Sequence, residues 1–152
     1  MEYLSKGIKH IKNRTLGNRI IVEVKPIIRQ QKLSTWKRRI ARRSEFIKQV
    51  YPDVRMVLYA DCILSQAIFV DNFEWQEIKF ITHFLKTSDC FIDVGSNFGL
   101  YALIAAKKVS RKGRVFAFEP ASKTFARLER NIRLNHVKNI LPSKVALSSS
   151  PG

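Results

Sequence analysis

Phe91-Ile-Asp-Val-Gly-Ser-Asn-Phe-Gly99 and, twenty residues after its last glycine, the acid that closes Val115-Phe-Ala-Phe-Glu119 decide the fold. The first stretch is a short apolar run ending in an acid, followed by a tight Gly-x-Asn-x-Gly turn and then an apolar-periodic segment. That order predicts strand, loop and helix. The second stretch is another apolar run ending in an acid, which predicts the next parallel strand. An acid at such a strand tip is a bidentate acceptor for two ribose hydroxyls, so the pair outlines a half-site for a nucleoside-containing cofactor.

The loop chemistry narrows the cofactor. Dinucleotide sites carry Gly-x-Gly-x-x-Gly, whose second glycine lets the backbone approach a pyrophosphate. Here Asn97 occupies that position, and Gly99 comes one residue early. Asp93 adds a negative charge at the mouth, unfavourable to a diphosphate and suited to a cation. S-adenosylmethionine fits these residues: a ribose for Glu119, a sulfonium and an amino group near Asp93, and no phosphate. Gly95 and Gly99 allow the turn and the close approach of the methionine part. The plainer alternative is that Asp93 only caps the strand end and the glycines only make the turn.

From residue 90 onward the pattern is βαβαβ. Strands are expected at 90–94, 114–119 and 139–146, with helices at 98–110 and 122–136. Leu100, Leu103, Ile104 and Ala105 face inward from the first helix, and Phe125, Leu128 and Ile132 from the second. Gly113 lies just past the first helix. Pro142 makes the third strand an edge strand or delays its start until after the proline. Right-handed crossovers put strand two beside strand one and strand three outside it.

The segments Asp93-Val-Gly-Ser-Asn-Phe-Gly-Leu-Tyr101, Gly113-Arg-Val-Phe-Ala-Phe-Glu-Pro120 and Asn131-Ile-Arg-Leu-Asn135 together resemble the FkbM-type branch of class I S-adenosylmethionine-dependent methyltransferases. Val145-Ala-Leu-Ser148 is similar to that family's third strand and the residues just after it, and Asn72-Phe-Glu-Trp-Gln-Glu77 to the helix before its first strand. The resemblance covers roughly residue 55 to the end. It implies that Asp93, Gly95, Asn97 and Gly99 line the methionine side of the cofactor, with Ser96 carried in the same loop. It implies that Glu119 holds the ribose, and that Pro120 and the residues around Ala146 lie near the adenine. The implied activity is O-methylation of a hydroxylated small molecule or sugar. Family members continue past the third strand into a catalytic and substrate-facing half, which is expected to lie outside this sequence. The first strand, Phe91-Ile92-Val94, is then expected to have an open edge, through which the chain self-associates or is completed by a second polypeptide.

The expected domains are a basic N-terminal extension over 1–54 and a truncated cofactor-binding domain over 55–152. The chain has 152 residues, 45% of them hydrophobic, and a net charge of +16. The first fifty residues hold fourteen Lys/Arg against Glu2, Glu23 and Glu45. Such an arm can meet nucleic acid, an anionic lipid or an acidic glycan, or can be a solvated basic face. Within it, residues 19–28 suggest a short edge strand. Residues 34–50 suggest a basic amphipathic helix capped by Ser34 and ended by Pro52. Residues 55–59 and 67–70 suit a hairpin. Asp71 and Glu74 form a capping box for a helix over 72–85, with a buried stripe of Trp75, Ile78, Ile81, Phe84 and Leu85. Glu77 on that helix lies near the mouth of the Asp93 loop, either to meet the cofactor's amino group or as a solvated helix acid.

Other chemistries find no pattern. Lys6, Lys9, Lys12 and Arg14 interrupt any apolar leader, and no apolar run approaches the ~18–20 residues a membrane span needs. A cytoplasmic protein is expected. Cys62 and Cys90 make no disulfide framework, and Cys90 is expected to be a small apolar residue of a buried strand. His10, His83 and His136 share no spacing with one another or with an acid, so no metal site is expected. There is no nucleophile elbow, phosphate loop or RNA-binding aromatic signature. The resemblance implies a small-molecule or saccharide methyl acceptor, and nucleic acid is not expected as a partner. Two alternatives stand beside this: an inactive cofactor-binding fragment, and a basic nucleic-acid or anionic-surface binder.

Overall fold

The computed structural model of the chain describes residues 19–149. In chain order its elements are α1 (Arg19–Ile40), β1 (Glu45–Tyr51), β2 (Val54–Tyr59), α2 (Ile63–Phe69), α3 (Trp75–Phe84), β3 (Cys90–Val94), α4 (Leu100–Val109), β4 (Arg114–Phe118), α5 (Ser122–Leu134) and β5 (Ile140–Ser143). Strands β3, β4 and β5 form a parallel sheet in that order, and β1 and β2 form an antiparallel hairpin. The fold is α/β, as the sequence pattern predicts, and its strands β3 and β4 lie within one residue of their expected ends.

Right-handed crossovers in this strand order put α4 and α5 on one face of the sheet. That face carries Val115, Ala117 and Ile140, all buried, under Ala102, Leu103, Ala105, Ala106 and Leu128. Gly113 is required where α4 turns into β4, because a Cβ there would sit 2.4 Å from the Asp89 carbonyl oxygen. Asn139, just before β5, braces the C-terminal end of α4 by donating to the carbonyl oxygens of Ala106 and Ser110. The opposite face is apolar and uncovered among the described residues. Ile92 and Val94 are 60% and 62% exposed, and Leu141 is 43% exposed beside them. Pro142 sits in β5 opposite Ala117, on the outer strand, where a missing N–H costs no ladder bond.

The N-terminal region departs from its expected elements. Residues 19–28 are helical, not a strand, and Pro26 lies within α1. The expected helix over 34–50 ends at Ile40, and its second half is β1. Ser34 is not a cap; its hydroxyl donates to the Gln31 carbonyl oxygen inside α1. Pro52 ends no helix. With Asp53, whose φ is +58°, it forms the turn of the β1–β2 hairpin. The expected strand at 67–70 lies on α2, so the hairpin partner of β2 is β1. The physical cause is pairing at a distance: Trp36, Phe46 and Phe69 meet with ring centroids 5.4–5.6 Å apart, which fixes α1, β1 and α2 around one aromatic cluster.

The hairpin is tied to the parallel unit by side chains acting as a surrogate strand. The N–H groups of Arg55, Val57 and Tyr59 point away from β1. They donate to Asn135 Oδ1 at 2.8 Å, Asn131 Oδ1 at 2.9 Å and Ser65 Oγ at 3.0 Å. Each buried edge donor thereby finds an acceptor. The expected domain limit at 54/55 falls inside this hairpin.

Helix α3 begins at Trp75, later than expected. Asp71 makes no cap; its carboxylate pairs with Lys32 and Lys48, and Glu74 occupies the cap position with no capping hydrogen bond. Of the expected stripe, Ile78 and Leu85 are buried, while Phe84 is exposed and stacked on Phe80 at 5.5 Å. Cys90 is exposed rather than buried, because its side of β3 belongs to the uncovered face.

Candidate functional site: the turn between β3 and β4

Asp93 is the penultimate residue of β3 and Glu119 directly follows β4. Parallel register sets Val94 beside Phe118, so the two acids reach the same end of the sheet on neighbouring strands. Each is 8% exposed. Between them runs the turn Gly95–Gly99, with φ of +76° at Gly95, +50° at Asn97 and +96° at Gly99. Asparagine is among the few side-chain-bearing residues that accept such a φ readily. Its Oδ1 accepts the Phe98 N–H at 2.9 Å, which stabilises the bend locally.

The two glycines serve different ends. A Cβ on Gly99 would lie 2.6 Å from Leu128 Cδ1, and the φ of +96° there already favours glycine. A Cβ on Gly95 would meet nothing within 4 Å, so Gly95 opens onto empty space.

Every backbone N–H of the turn is committed internally. Gly95 and Ser96 both donate to the Phe118 carbonyl oxygen at 2.9 Å, and Asn97 donates to Glu119 Oε2 at 3.0 Å. Phe98 donates to Asn97, and Gly99 donates to the Ser96 carbonyl oxygen at 2.9 Å. A phosphate-cradling loop needs free N–H groups converging on the anion. This turn presents none from Gly95 to Gly99, in keeping with a ligand that carries no phosphate there.

The acids differ in state. Glu119 accepts two backbone donors, Asn97 on Oε2 and Ala121 on Oε1 at 2.9 Å. A carboxylate offers roughly four lone-pair sites, so two further hydroxyls can still be accepted. Asp93 Oδ2 is buried with no hydrogen-bond partner. Burial pushes the Asp93 carboxyl above its ordinary range, opposed by the Ser96 hydroxyl and the Ala102 backbone N–H. Such an orphaned, desolvated acceptor suits a cationic or N–H-bearing ligand.

In front of the turn is a hollow of about 210 Å³ lined by Gly95, Ser96, Asn97, Gly99 and Leu100, with Leu64, Phe73, Glu74 and Tyr101 opposite. Neither Asp93 nor Glu119 lines it. Pro120 is exposed just beyond, and so is Ala146. Glu77 does not reach this hollow and lines a neighbouring one with Phe80 and Ile81. The acid that does reach it is Glu74, whose carboxylate accepts the Tyr101 hydroxyl. Burial, and then the Glu74 carboxylate, push the Tyr101 hydroxyl far above the usual phenol range. The sequence holds no signal for this pair beyond a Glu before a helix and a Tyr after a turn.

With this geometry in view, comparison with known proteins locates the fold. No protein-family model matches the chain. A stretch of 79 residues is 38% identical to the hexuronic acid methyltransferase AglP of Haloferax volcanii, covering 52% of this chain and 31% of that protein. The chain thus spans about a third of the length of that curated relative. Among solved structures, TYW2 of M. jannaschii in complex with AdoMet superimposes with a TM-score of 0.54 at 24% identity, over 66% of this chain and 43% of that one. TYW2 of P. horikoshii in complex with MeSAdo gives 0.54 at 22%, over 72% and 39%. The chain therefore has the Rossmann-like fold of S-adenosylmethionine-dependent methyltransferases. No helix among the described residues is long and apolar enough to cross a membrane.

Proposed function

We propose that this chain is the cofactor-binding part of an S-adenosylmethionine-dependent methyltransferase of the FkbM type, acting on a hydroxyl oxygen of a small molecule or sugar. One observation carries the cofactor assignment: two buried acids on adjacent strand tips flank a turn whose N–H groups, from Gly95 to Gly99, are all occupied. Glu119 accepts the ribose hydroxyls with its remaining lone pairs. Gly95 leaves room for the methionine part; Asp93, whose Oδ2 has no partner, does not line the hollow and acts on the cationic end from the strand beneath the turn. Glu74 and Tyr101 close the hollow from the other side, and Glu74 is a second acceptor for an ammonium group.

When bound, S-adenosylmethionine supplies an activated methyl group, which passes to the acceptor oxygen as its bond to sulfur breaks and the hydroxyl proton leaves. The contribution of these residues is alignment and exclusion of water. No general base is assigned to them. The sugar acceptor is supported by the likeness to the hexuronic acid methyltransferase of Haloferax volcanii. Transfer of labelled methyl to a panel of hydroxylated acceptors, a hexuronic acid included, tests the substrate class. Transfer to nucleic-acid bases with no O-methyl product would contradict it.

A further inference from the structure

At the C-terminal end of α1, Arg38, Arg39, Arg42 and Arg43 surround an open cleft of about 510 Å³ whose other walls are Thr35 and Phe46. All four arginines are exposed. None has a carboxylate within ion-pair distance among the described residues, because the nearby acids are engaged elsewhere. Glu45 is forked by Arg130, Asp71 is held by Lys32 and Lys48, and Asp61 by Lys123 and Arg127. The end of α1 needs only about half an elementary charge to balance its dipole, and Arg42 and Arg43 lie beyond it. The positive charge gathered here exceeds what the fold uses.

Two of the four heads are already held in place. The Arg39 guanidinium lies 5.0 Å over the Phe46 ring and 5.7 Å from that of Phe69. Arg38 donates to Thr35 Oγ1 at 3.3 Å. Planar guanidinium forks match phosphate oxygens bidentately, and partly fixed heads lose less freedom on binding. Four positive charges converging on one hollow match a di- or polyphosphate better than a single carboxylate. Phe46, the aromatic residue of the lining, is covered by Arg39, which leaves no platform for stacking successive bases.

We propose that this cleft binds a di- or polyphosphate group, at a site separate from the turn between β3 and β4. The two hollows have α2 in common: Leu64 lines one, and Phe69 carries Arg39 of the other. The cleft is built from α1, β1 and the connection between them, and stands whether or not the methyltransferase assignment does.

The test is calorimetric titration of the full chain with inorganic pyrophosphate. Saturable one-to-one binding is expected, weakened roughly tenfold or more in an Arg42→Ala/Arg43→Ala variant. Neither side chain has an internal ion-pair partner among the described residues, so the variant keeps its circular dichroism spectrum. Lys37→Ala, also exposed but outside the cleft, leaves the affinity unchanged. Vesicles of phosphatidylcholine with phosphatidylinositol bisphosphate that bind and are displaced by pyrophosphate would identify a lipid headgroup as the source. Pyrophosphate binding without vesicle binding would identify a soluble ligand, and either result upholds the site. No saturable binding, equal affinity in the double variant, or poly(U) binding that pyrophosphate does not displace overturns it. A parallel titration with S-adenosylhomocysteine reads the other site separately.

Discussion

Glu119 accepts the backbone N–H of Asn97 at 3.0 Å, so the acid at the tip of β4 holds in place the turn that leaves β3. The same carboxylate caps Ala121 at the start of the next helix. One side chain thus sets the spacing between two strand tips and keeps lone pairs for a ligand. Glu119→Ala removes both functions. Affinity for S-adenosylhomocysteine should fall by about 1–3 kcal/mol, the cost of leaving polar groups unpaired, while Glu119→Gln, which keeps one acceptor oxygen, loses less. Isothermal calorimetry on the three proteins checks the order.

Gly95 and Gly99 should separate binding from folding. Gly99→Ala forces a Cβ to within 2.6 Å of Leu128 at a φ of +96°, and should destabilise the fold by about 1–3 kcal/mol. Gly95→Ala meets open space, so its cost is backbone strain alone, yet its methyl enters the hollow. Denaturant midpoints should therefore drop further for Gly99→Ala, and cofactor affinity further than stability for Gly95→Ala.

Asp93 predicts a pH dependence with a definite sign. Its carboxyl is raised above the ordinary 3.8 by burial, so the folded chain binds that proton more tightly than the unfolded chain does. The stability it contributes is complete below 3.8 and declines as pH rises through the folded value. Asp93→Asn should remove that decline and leave the melting temperature at neutral pH equal or higher. It should at the same time weaken binding of S-adenosylmethionine. Thermal melts across the acid range, with and without cofactor, measure both.

Asn131 should be the most sensitive polar position outside the site. It is fully buried, accepts the Val57 N–H and donates to the Phe98 carbonyl oxygen at 2.8 Å. Asn131→Ala leaves one donor and one acceptor unmet, at a cost of about 2–4 kcal/mol. Hydrogen exchange at Val57 should accelerate beyond the global change.

The uncovered sheet face should drive association. Parallel sheets are normally covered on both faces, and here Ile92, Val94 and Leu141 are exposed together. Sedimentation velocity should show concentration-dependent self-association. Ile92→Lys should reduce it without lowering the melting temperature by more than a surface substitution does.

From β3 to β5 the elements match in kind and order because the information there is local, although β5 ends at Ser143, short of the expected 146, and residues 145–148 lie outside any strand. Glycines punctuate the turns, apolar residues repeat at one period per element, and each strand pairs with a near neighbour in the chain. Sequence and structure part before β3, most sharply before residue 60 and again where 67–70 is helical and Asp71 caps no helix. Nothing in 45–51 alone says strand: its partner lies across a turn that Pro52 disguises as a helix stop, and its core contact, Phe46 on Trp36 and Phe69, is assembled from three elements. The edge caps Asn131 and Asn135 act on residues 74 and 80 positions away. They are visible in the sequence as a motif without a function. Within the site, the two acids and the glycines could be placed by spacing. Glu74 could not be told from Glu77, because the late start of α3 decides which of them faces the hollow.

The direct test is a paired calorimetric titration of the unmodified chain with S-adenosylmethionine and with NAD. Saturable one-to-one binding of the sulfonium cofactor, lost on changing Glu119 to Ala, with no heat from the dinucleotide, is the predicted result. Saturable NAD binding, or cofactor affinity indifferent to residue 119, would contradict it.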